Sequence, residues 1–123
     1  MKYKLIEKAN PQDRDSKKWY ANAVNQGTVG QREIAGNIAE KSSLTTGDIA
    51  NVIENLLQEI PKELLKGKSV KLGDFGSFRL TLSSEGAATE KEFNTAMIKN
   101  VKVVFTPGTL FKNALSTVKF ERD

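Results

Sequence analysis

The sequence predicts an α+β domain in which two helices precede a small antiparallel sheet and a third helix follows it. Two observations predict this fold class. Apolar residues recur at helical spacing between residues 45 and 65, and short strand-like runs flank the turn Gly73-Asp74-Phe75-Gly76. The 123 residues suffice for one domain with one modest core, so a second, catalytic domain is excluded.

The N-terminal segment, residues 1–29, is predicted to be a strand-like extension of the domain formed by residues 30–123. Residues 2–8 alternate loosely, residues 19–24 are aromatic and branched, and the charged stretch between them is turn-forming. This pattern predicts a β-hairpin or two separate edge strands. We interpret its aromatic residues as edge-strand core, since they lack the basic surroundings typical of base stacking. These are Tyr3, Trp19 and Tyr20.

A first amphipathic helix is predicted over residues 31–42. Four apolar residues fall on one face of it at helical spacing. They are Ile34, Ala35, Ile38 and Ala39.

The second helix has the strongest signal in the chain. Thr45 is expected to cap its start, with Asp48 three residues further on, and a broad apolar stripe runs to Leu65. Pro61 lies within the stripe and lacks a backbone N–H, so we expect a kink or a break near Ile60. Gly67 is expected to end the helix.

Three strands and a final helix complete the predicted domain. Residues 70–72, 77–82 and 101–105 read as strands, and residues 83–90 have loop composition. Pro107 or Thr109 is expected to start the last helix. Its predicted apolar face consists of Leu110, Phe111, Ala114, Leu115 and Val118.

Composition narrows the possible functions. The chain has no cysteine and no histidine, which excludes disulfides, thiolate nucleophiles and the commonest zinc sites. We therefore expect no enzymatic activity, no cofactor, no metal and no small-molecule substrate. The net charge is +4, from nineteen Lys and Arg against fifteen Asp and Glu, which is compatible with a nucleic-acid partner. No apolar run has the length of a signal peptide or a membrane span, so we expect a cytoplasmic protein.

Two sequence stretches carry a family resemblance. Residues 66–78, Lys-Gly-Lys-Ser-Val-Lys-Leu-Gly-Asp-Phe-Gly-Ser-Phe, precede Phe-Thr-Pro-Gly-Thr-Leu at residues 105–110. In this order they resemble the HU/IHF family of bacterial histone-like DNA-binding proteins, over about residues 30–120. The resemblance implies an intertwined homodimer of the nucleoid, with a helical base and one three-stranded antiparallel sheet per subunit. It also implies a concave saddle for double-stranded DNA, and two β-arms that grip the minor groove.

The resemblance accounts for the number of large apolar residues in the chain. The stripe on the second helix and the pair Phe75 and Phe78 are more than one small subunit is expected to cover, and an intertwined dimer provides a second apolar surface.

The predicted arm departs from the family pattern. The chain has prolines only at positions 11, 61 and 107, so the proline that usually wedges between base steps at the arm tip is missing. Four basic residues between Phe78 and Phe105 are offset by three glutamates, leaving +1. A short helical turn is expected within residues 93–100, with its apolar residues packed locally. The alternative is that Phe93, Met97 or Ile98 replaces the proline as a wedge.

Candidate DNA contacts are the basic residues predicted on the sheet, its return strand and the last helix. Strand alternation places Lys71, Arg79 and Lys102 on one face, away from the helices. The full set is Lys68, Lys71, Arg79, Lys99, Lys102 and Lys112. A weaker expectation is that backbone amides at helix starts meet phosphate. These belong to Gln31, Arg32, Gly108 and Thr109.

Two functions follow from these patterns. The first is sequence-independent binding of double-stranded DNA by an HU-like homodimer, through phosphate contacts from a basic saddle and with reduced bending. The alternative is a dimer of the same fold that serves as a protein-interaction module without significant DNA binding.

Overall fold

A computed structural model describes the complete chain, residues 1–123. It contains two three-stranded sheets, ordered β2-β1-β6 and β3-β4-β5, and three α-helices. The elements are β1 (Lys2–Asn10), β2 (Asp13–Ala23), α1 (Gln31–Ala39), α2 (Thr46–Leu65), β3 (Val70–Leu72), β4 (Gly76–Ser84), β5 (Ile98–Pro107), α3 (Thr109–Leu115) and β6 (Glu121–Arg122). Two short 3-10 turns, Glu90–Glu92 and Thr95–Met97, lie between β4 and β5. The α+β prediction is confirmed, and none of the helices combines the length and apolarity needed to cross a lipid bilayer.

The N-terminal segment forms the β-hairpin that was one of the two predicted arrangements. β1 and β2 pair antiparallel from Tyr3 opposite Ala23 to Ala9 opposite Lys17, with an irregularity next to the turn. A strand that the sequence did not predict, β6, adds in parallel to β1. The ammonium group of Met1 donates to the Lys119 carbonyl at 2.9 Å, so both chain termini belong to one sheet.

The aromatic residues of the hairpin do not form the core that we expected. Trp19 is 64% exposed and Tyr20 is 47% exposed, while Tyr3 is half-buried. The reason is that the two faces of this sheet are not covered by a helix of the same chain.

The first two helices form where the sequence predicted them, with two differences. α1 ends at Ala39 and continues only as turns to Ser42. α2 begins as predicted, since the hydroxyl of Thr45 accepts a hydrogen bond from the Asp48 amide at 3.1 Å. Of the kink or break that we expected near Ile60, the break is wrong, because α2 runs without interruption past Pro61.

The continuity of α2 has a physical explanation. A proline costs the helix one backbone hydrogen bond, and the residues on both sides of Pro61 gain apolar contacts with the sheet. Ile60 is half-buried and Leu64 is only 4% exposed. This packing keeps the turns around the proline helical.

The sheet β3-β4-β5 is antiparallel throughout, with Val70 opposite Phe78 and Phe78 opposite Phe105. Phe105 stacks on both Phe75 and Phe78, at ring-centre separations of 5.4 and 4.8 Å, and Phe111 from α3 lies 5.3 Å from Phe75. The two phenylalanines for which we expected a partner surface therefore pack within the chain. α3 ends at Leu115, so the predicted helical position of Val118 is wrong.

The core of the single chain is small. Its buried apolar residues are Ala35, Ile49 and Leu64, at the contact of α1 and α2 and beneath the sheet. Large apolar side chains of α2 remain exposed, including Val52 at 62%, Leu57 at 52% and Leu65 at 79%. A chain of this size normally covers such side chains, so much of the apolar stripe is available to another surface.

Two glycines hold the turn between β3 and β4 against the start of α3. Gly76 has φ +153°, and a Cβ there would lie 2.6 Å from the Thr106 carbonyl oxygen. A Cβ on Gly108 would collide with the Asp74 carbonyl oxygen. Backbone atoms cannot move aside as a flexible side chain can, so both positions require glycine.

We predict that Gly76→Ala lowers the free energy of unfolding by about 2 to 4 kcal/mol, through steric overlap and an unfavourable φ. Chemical denaturation followed by circular dichroism measures this. Gly36→Ala is the matched control, because a Cβ on Gly36 of α1 meets no atom within 4 Å. The control is expected to be neutral or to gain up to about 1 kcal/mol. Equal stabilities for the two variants would contradict the assignment.

Candidate nucleic-acid interface

Three basic residues lie on one face of the sheet β3-β4-β5. In an antiparallel sheet, directly opposed residues point to the same side and alternate along each strand. Lys71 is opposite Ser77, Arg79 is opposite Val104, and Thr81 is opposite Lys102. The register therefore places Lys71, Arg79 and Lys102 together, as the alternation predicted, and all three are exposed. We call this surface the basic sheet face.

The opposite face of the same sheet is apolar and packs on α2. Phe78, Leu80 and Val103 contribute to it from β4 and β5. Together with α2 they border an apolar groove of about 390 Å³. The groove is lined by Leu57, Ile60, Pro61, Leu64, Leu65, Phe78, Leu80 and Val103. Helix packing on one side thus leaves the basic sheet face open to solvent.

Lys68 precedes β3 and lies beside the part of β4 that β3 does not pair with. It lines a shallow cavity together with Arg79, because β3 pairs with β4 only as far as Phe78. Its ammonium group lies 3.7 Å from a carboxylate oxygen of Glu63, whose other oxygen is 3.2 Å from Lys66 Nζ. The hydrogen bond from Lys66 and the positive charge of Lys66 lower the pKa of Glu63, with smaller contributions from Lys68 and Lys62.

Lys99 is partly neutralised. Its ammonium group lies 2.6 Å from a carboxylate oxygen of Glu85. The pair joins the end of β4 to the start of β5, where Ser83 is opposite Lys99 and the Glu85 amide donates to the Met97 carbonyl at 2.8 Å. This pair closes the base of the segment that corresponds to the arm.

Lys112 is not on the sheet. It lies in α3 as the basic residue of the last turn, and it is exposed. α3 packs on β4 and β5 at the end of the sheet where Gly76 lies opposite Pro107. Lys112 is therefore separate from the basic sheet face.

One of the four backbone amides expected to meet phosphate at the helix starts is already occupied. The Gly108 amide donates to the Phe75 carbonyl at 2.9 Å, so it is not free to meet a phosphate. α1 begins after Gly30 without a side-chain cap. The Gln31 side-chain amide lies 3.3 Å from a carboxylate oxygen of Glu54.

The segment between β4 and β5 contains the predicted helical turn in shortened form, the 3-10 turn Thr95–Met97. Phe93 is 40% exposed, whereas Met97 and Ile98 are half-buried. Asn100 has φ +55°, and the ladder between β4 and β5 shifts register near Thr81. The segment is thus held to the sheet end by turns and an irregular ladder.

A further basic surface, which we did not predict from the sequence, lies on the N-terminal hairpin. Lys4 is opposite Asn22, Ile6 is opposite Tyr20, and Lys8 is opposite Lys18, so these side chains share one face. The Lys8 ammonium group lies 5.8 Å from the centre of the Tyr20 ring. Lysines at alternate positions of a predicted strand were the available signal, but a hairpin was only one of two predicted arrangements.

The fold and the sequence agree on a known family. Residues 1–122 match the family described as "HU domain fused to wHTH, Ig, or Glycine-rich motif". The chain belongs to the HU/IHF family.

Two relatives in the HU/IHF family are shorter than this chain. The chain is 32% identical over 94 residues to integration host factor subunit alpha of Haemophilus influenzae, covering 75% of this chain and 98% of the relative. It is 29% identical over 94 residues to DNA-binding protein HU of Buchnera aphidicola, covering 73% and 100%. About a quarter of the chain has no counterpart in these two HU/IHF relatives.

Solved structures show the same HU fold. A cocrystal structure of Anabaena HU with DNA has a TM-score of 0.57 and 23% identity, covering 73% of this chain and all of that chain. A crystal structure from Bacteroides vulgatus has a TM-score of 0.63 and 16% identity, covering 98% of this chain. The chain spans about half the length of the Bacteroides vulgatus protein, of which 47% is covered.

We predict that the carboxyl group of Glu63 titrates below the ordinary value of 4.5 and that Lys66→Met raises its pKa towards that value. Because the pKa is lower in the folded chain, ionised Glu63 stabilises the fold above pH 4.5, and this contribution is lost as pH falls through the folded pKa. Carboxyl-carbon NMR titration measures both values. The control Lys62→Met should move the pKa less, and an equal shift in the two variants would contradict the assigned hydrogen bond.

Proposed function

We propose that this protein binds double-stranded DNA without sequence specificity, as an HU-like homodimer of the bacterial nucleoid in the cytoplasm. The observation that carries the proposal is the basic sheet face. It sets Lys71, Arg79 and Lys102 on an open surface, with neutral strand residues between them. No carboxylate lies within 4.0 Å of these three cations. Unpaired cations that are spread evenly over an open surface are suited to binding phosphates.

The proposed residues contribute unequally to DNA binding. Lys71, Arg79 and Lys102 are the central ones, and Lys68 adds to them from the strand edge beside Arg79. Lys99 must first loosen its ion pair with Glu85, so it contributes less. Lys112 reaches phosphates only where DNA passes the end of the sheet that α3 covers.

Membership of the HU/IHF family supports the DNA partner. The relatives reported above include DNA-binding protein HU, and a structure of the same fold is a cocrystal with DNA. This is a family of architectural proteins and not of enzymes, in agreement with the absence of histidine and cysteine.

The proposed DNA complex is only weakly bent. Residues 85–97 contain no proline, and their three glutamates outnumber their single lysine. Met97 and Ile98 are half-buried against the chain, so they are poorly placed to wedge between base steps. Energy transfer between dyes at the two ends of a duplex measures the bend, and a sharp kink would contradict this part of the proposal.

The homodimer is supported by the exposed apolar surface. The groove between α2 and the sheet is lined almost wholly by apolar side chains, and Leu57 and Leu65 at its border are more than half exposed. A self-complementary apolar surface of this kind is covered in symmetric dimers. Covering it with a second copy also places two basic sheet faces in one particle.

We predict that Lys71→Glu combined with Lys102→Glu lowers the salt dependence of duplex binding. Each lost phosphate contact reduces the slope of log K against log salt by about 0.9, so the slope falls by about 2 per subunit. Fluorescence anisotropy with a short duplex between about 50 and 200 mM salt measures this slope.

The matched control carries the same change in charge on the helical side of the chain, at Lys41 and Lys62. It should bind with the slope of the wild type. If wild type fails to bind even at low salt, the DNA function is wrong, and the interaction-module alternative becomes the better explanation of the fold.

We predict that Leu57→Asp dissociates the dimer and lowers the free energy of unfolding by about 2 to 5 kcal/mol per subunit, because it places a carboxylate in the apolar groove. Analytical ultracentrifugation measures the mass. Val29→Asp is the control, since Val29 is 58% exposed and lies outside the groove. A monomeric wild type, or a dimeric Leu57→Asp, would overturn the proposed interface.

A further inference from the structure

The lysine face of the N-terminal hairpin is the strongest feature that the proposed function leaves unused. We define this face by Lys4, Lys8 and Lys18, with Ile6 and Tyr20 between them. Lys2 lies at its end, beside Glu121 of β6. Glu7 points to the other face, since it is opposite Trp19.

The charge of the protein is concentrated in this hairpin. Residues 1–29 contain six Lys and Arg against three Asp and Glu, a net charge of +3, out of +4 for the whole chain. The remaining residues, which carry the whole HU-like domain, are nearly neutral at +1. An architectural DNA-binding protein needs phosphate neutralisation, and here most of its net positive charge lies outside the basic sheet face.

The lysine face is costly for folding. Lys8 and Lys18 are directly opposite each other in the ladder, and like charges at such positions repel and destabilise a hairpin. None of the lysines of this face has a carboxylate within 4.0 Å. Only the Tyr20 ring near Lys8 offers a favourable contact. A polyanion bound to this face would remove the repulsion.

We propose that the lysine face of the hairpin is a second contact surface for the phosphates of duplex DNA. This inference rests on the proposed function. The hairpin supplies, from the N-terminus, positive charge that the segment between β4 and β5 lacks. A polyphosphate backbone fits better than an acidic protein patch, because the cations form an extended row.

The dimensions suit a duplex. Six residues of extended strand separate Lys2 from Lys8, a distance of about 20 Å. That length corresponds to about six base pairs at 3.4 Å per phosphate along each strand. A two-stranded ribbon also has the width that the major groove admits. The Tyr20 ring is 47% exposed and is opposite Ile6. It provides a flat contact surface between Lys4 and Lys8.

The test compares salt slopes of duplex binding for the wild-type protein and three variants. The hairpin variant is Lys4→Gln, Lys8→Gln, Lys18→Gln. Its charge-matched control is Lys17→Gln, Lys41→Gln, Lys62→Gln, in which Lys17 lies on the other face of the hairpin, opposite Ala9. Three lost contacts lower the slope by about 2.7 per subunit, so between 50 and 200 mM salt the wild type should lose roughly 40-fold more affinity than the hairpin variant for each hairpin that contacts the duplex. The control should follow the wild type.

The third variant, Lys18→Glu, separates a DNA contact from a structural role. An opposite charge facing Lys8 stabilises the ladder, so the thermal midpoint should stay or rise while duplex affinity falls. Loss of affinity together with a lower midpoint would indicate damage to the hairpin and would overturn the inference.

The remaining outcomes are distinguishable. If wild type binds DNA and the hairpin variant keeps the wild-type slope, the hairpin inference fails and the basic sheet face stands. If wild type does not bind DNA, both proposals fail. The last comparison measures binding to vesicles of phosphatidylserine and phosphatidylcholine. A hairpin variant that loses vesicle binding but keeps duplex binding would also overturn the inference.

Discussion

The antiparallel register of β3, β4 and β5 is the constraint on which the rest of this structure depends. It fixes which side chains reach α2 and which reach solvent, because a shift by one residue would exchange the two faces. With the observed register, Phe78 and Phe105 stack beneath the sheet and Lys71, Arg79 and Lys102 lie above it. The turn that starts this register requires Gly76, where a side chain would meet the Thr106 carbonyl. Core formation and the basic surface therefore have one cause.

The apolar side chains of a single chain are incompletely buried. The phenylalanine cluster is satisfied inside one chain, but the leucines of α2 are not. Aromatic rings close to the sheet turn have neighbours from β5 and α3, whereas the middle of a twenty-residue helix extends beyond what one small sheet can cover. The leucines that one chain leaves exposed form the surface that the proposed homodimer covers.

The charged residues are distributed unevenly along the chain. Residues 30–123 are close to neutral, and residues 85–97 between β4 and β5 are acidic, while the N-terminal hairpin is basic. The hairpin is tied to the C-terminus through β6 and through the Met1 ammonium group. These contacts hold the hairpin to the C-terminal end of the chain, so that its lysines form a defined face of a sheet.

The sequence by itself determined the elements with strong local signals. Alternation and the glycine turn were enough to predict β3 and the shared face of Lys71, Arg79 and Lys102, since side-chain direction in a strand is a local property. The cap at Thr45 followed from its spacing to Asp48, and the family followed from residues 66–78 and 105–110. Local rules decide these features, so no distant contact was needed.

Only the tertiary structure decided what depends on partners distant in sequence. The two-residue strand β6 exists because β1 offers it a free edge, and α2 continues through Pro61 because the sheet holds Ile60 and Leu64. The ion pair with Glu85 makes Lys99 a weaker candidate for a DNA contact. The hydrogen bond to the Phe75 carbonyl occupies the Gly108 amide, which we expected to meet a phosphate. Hairpin pairing brought Lys8 opposite Lys18. Pairing between segments is a long-range choice, and local propensity does not contain it.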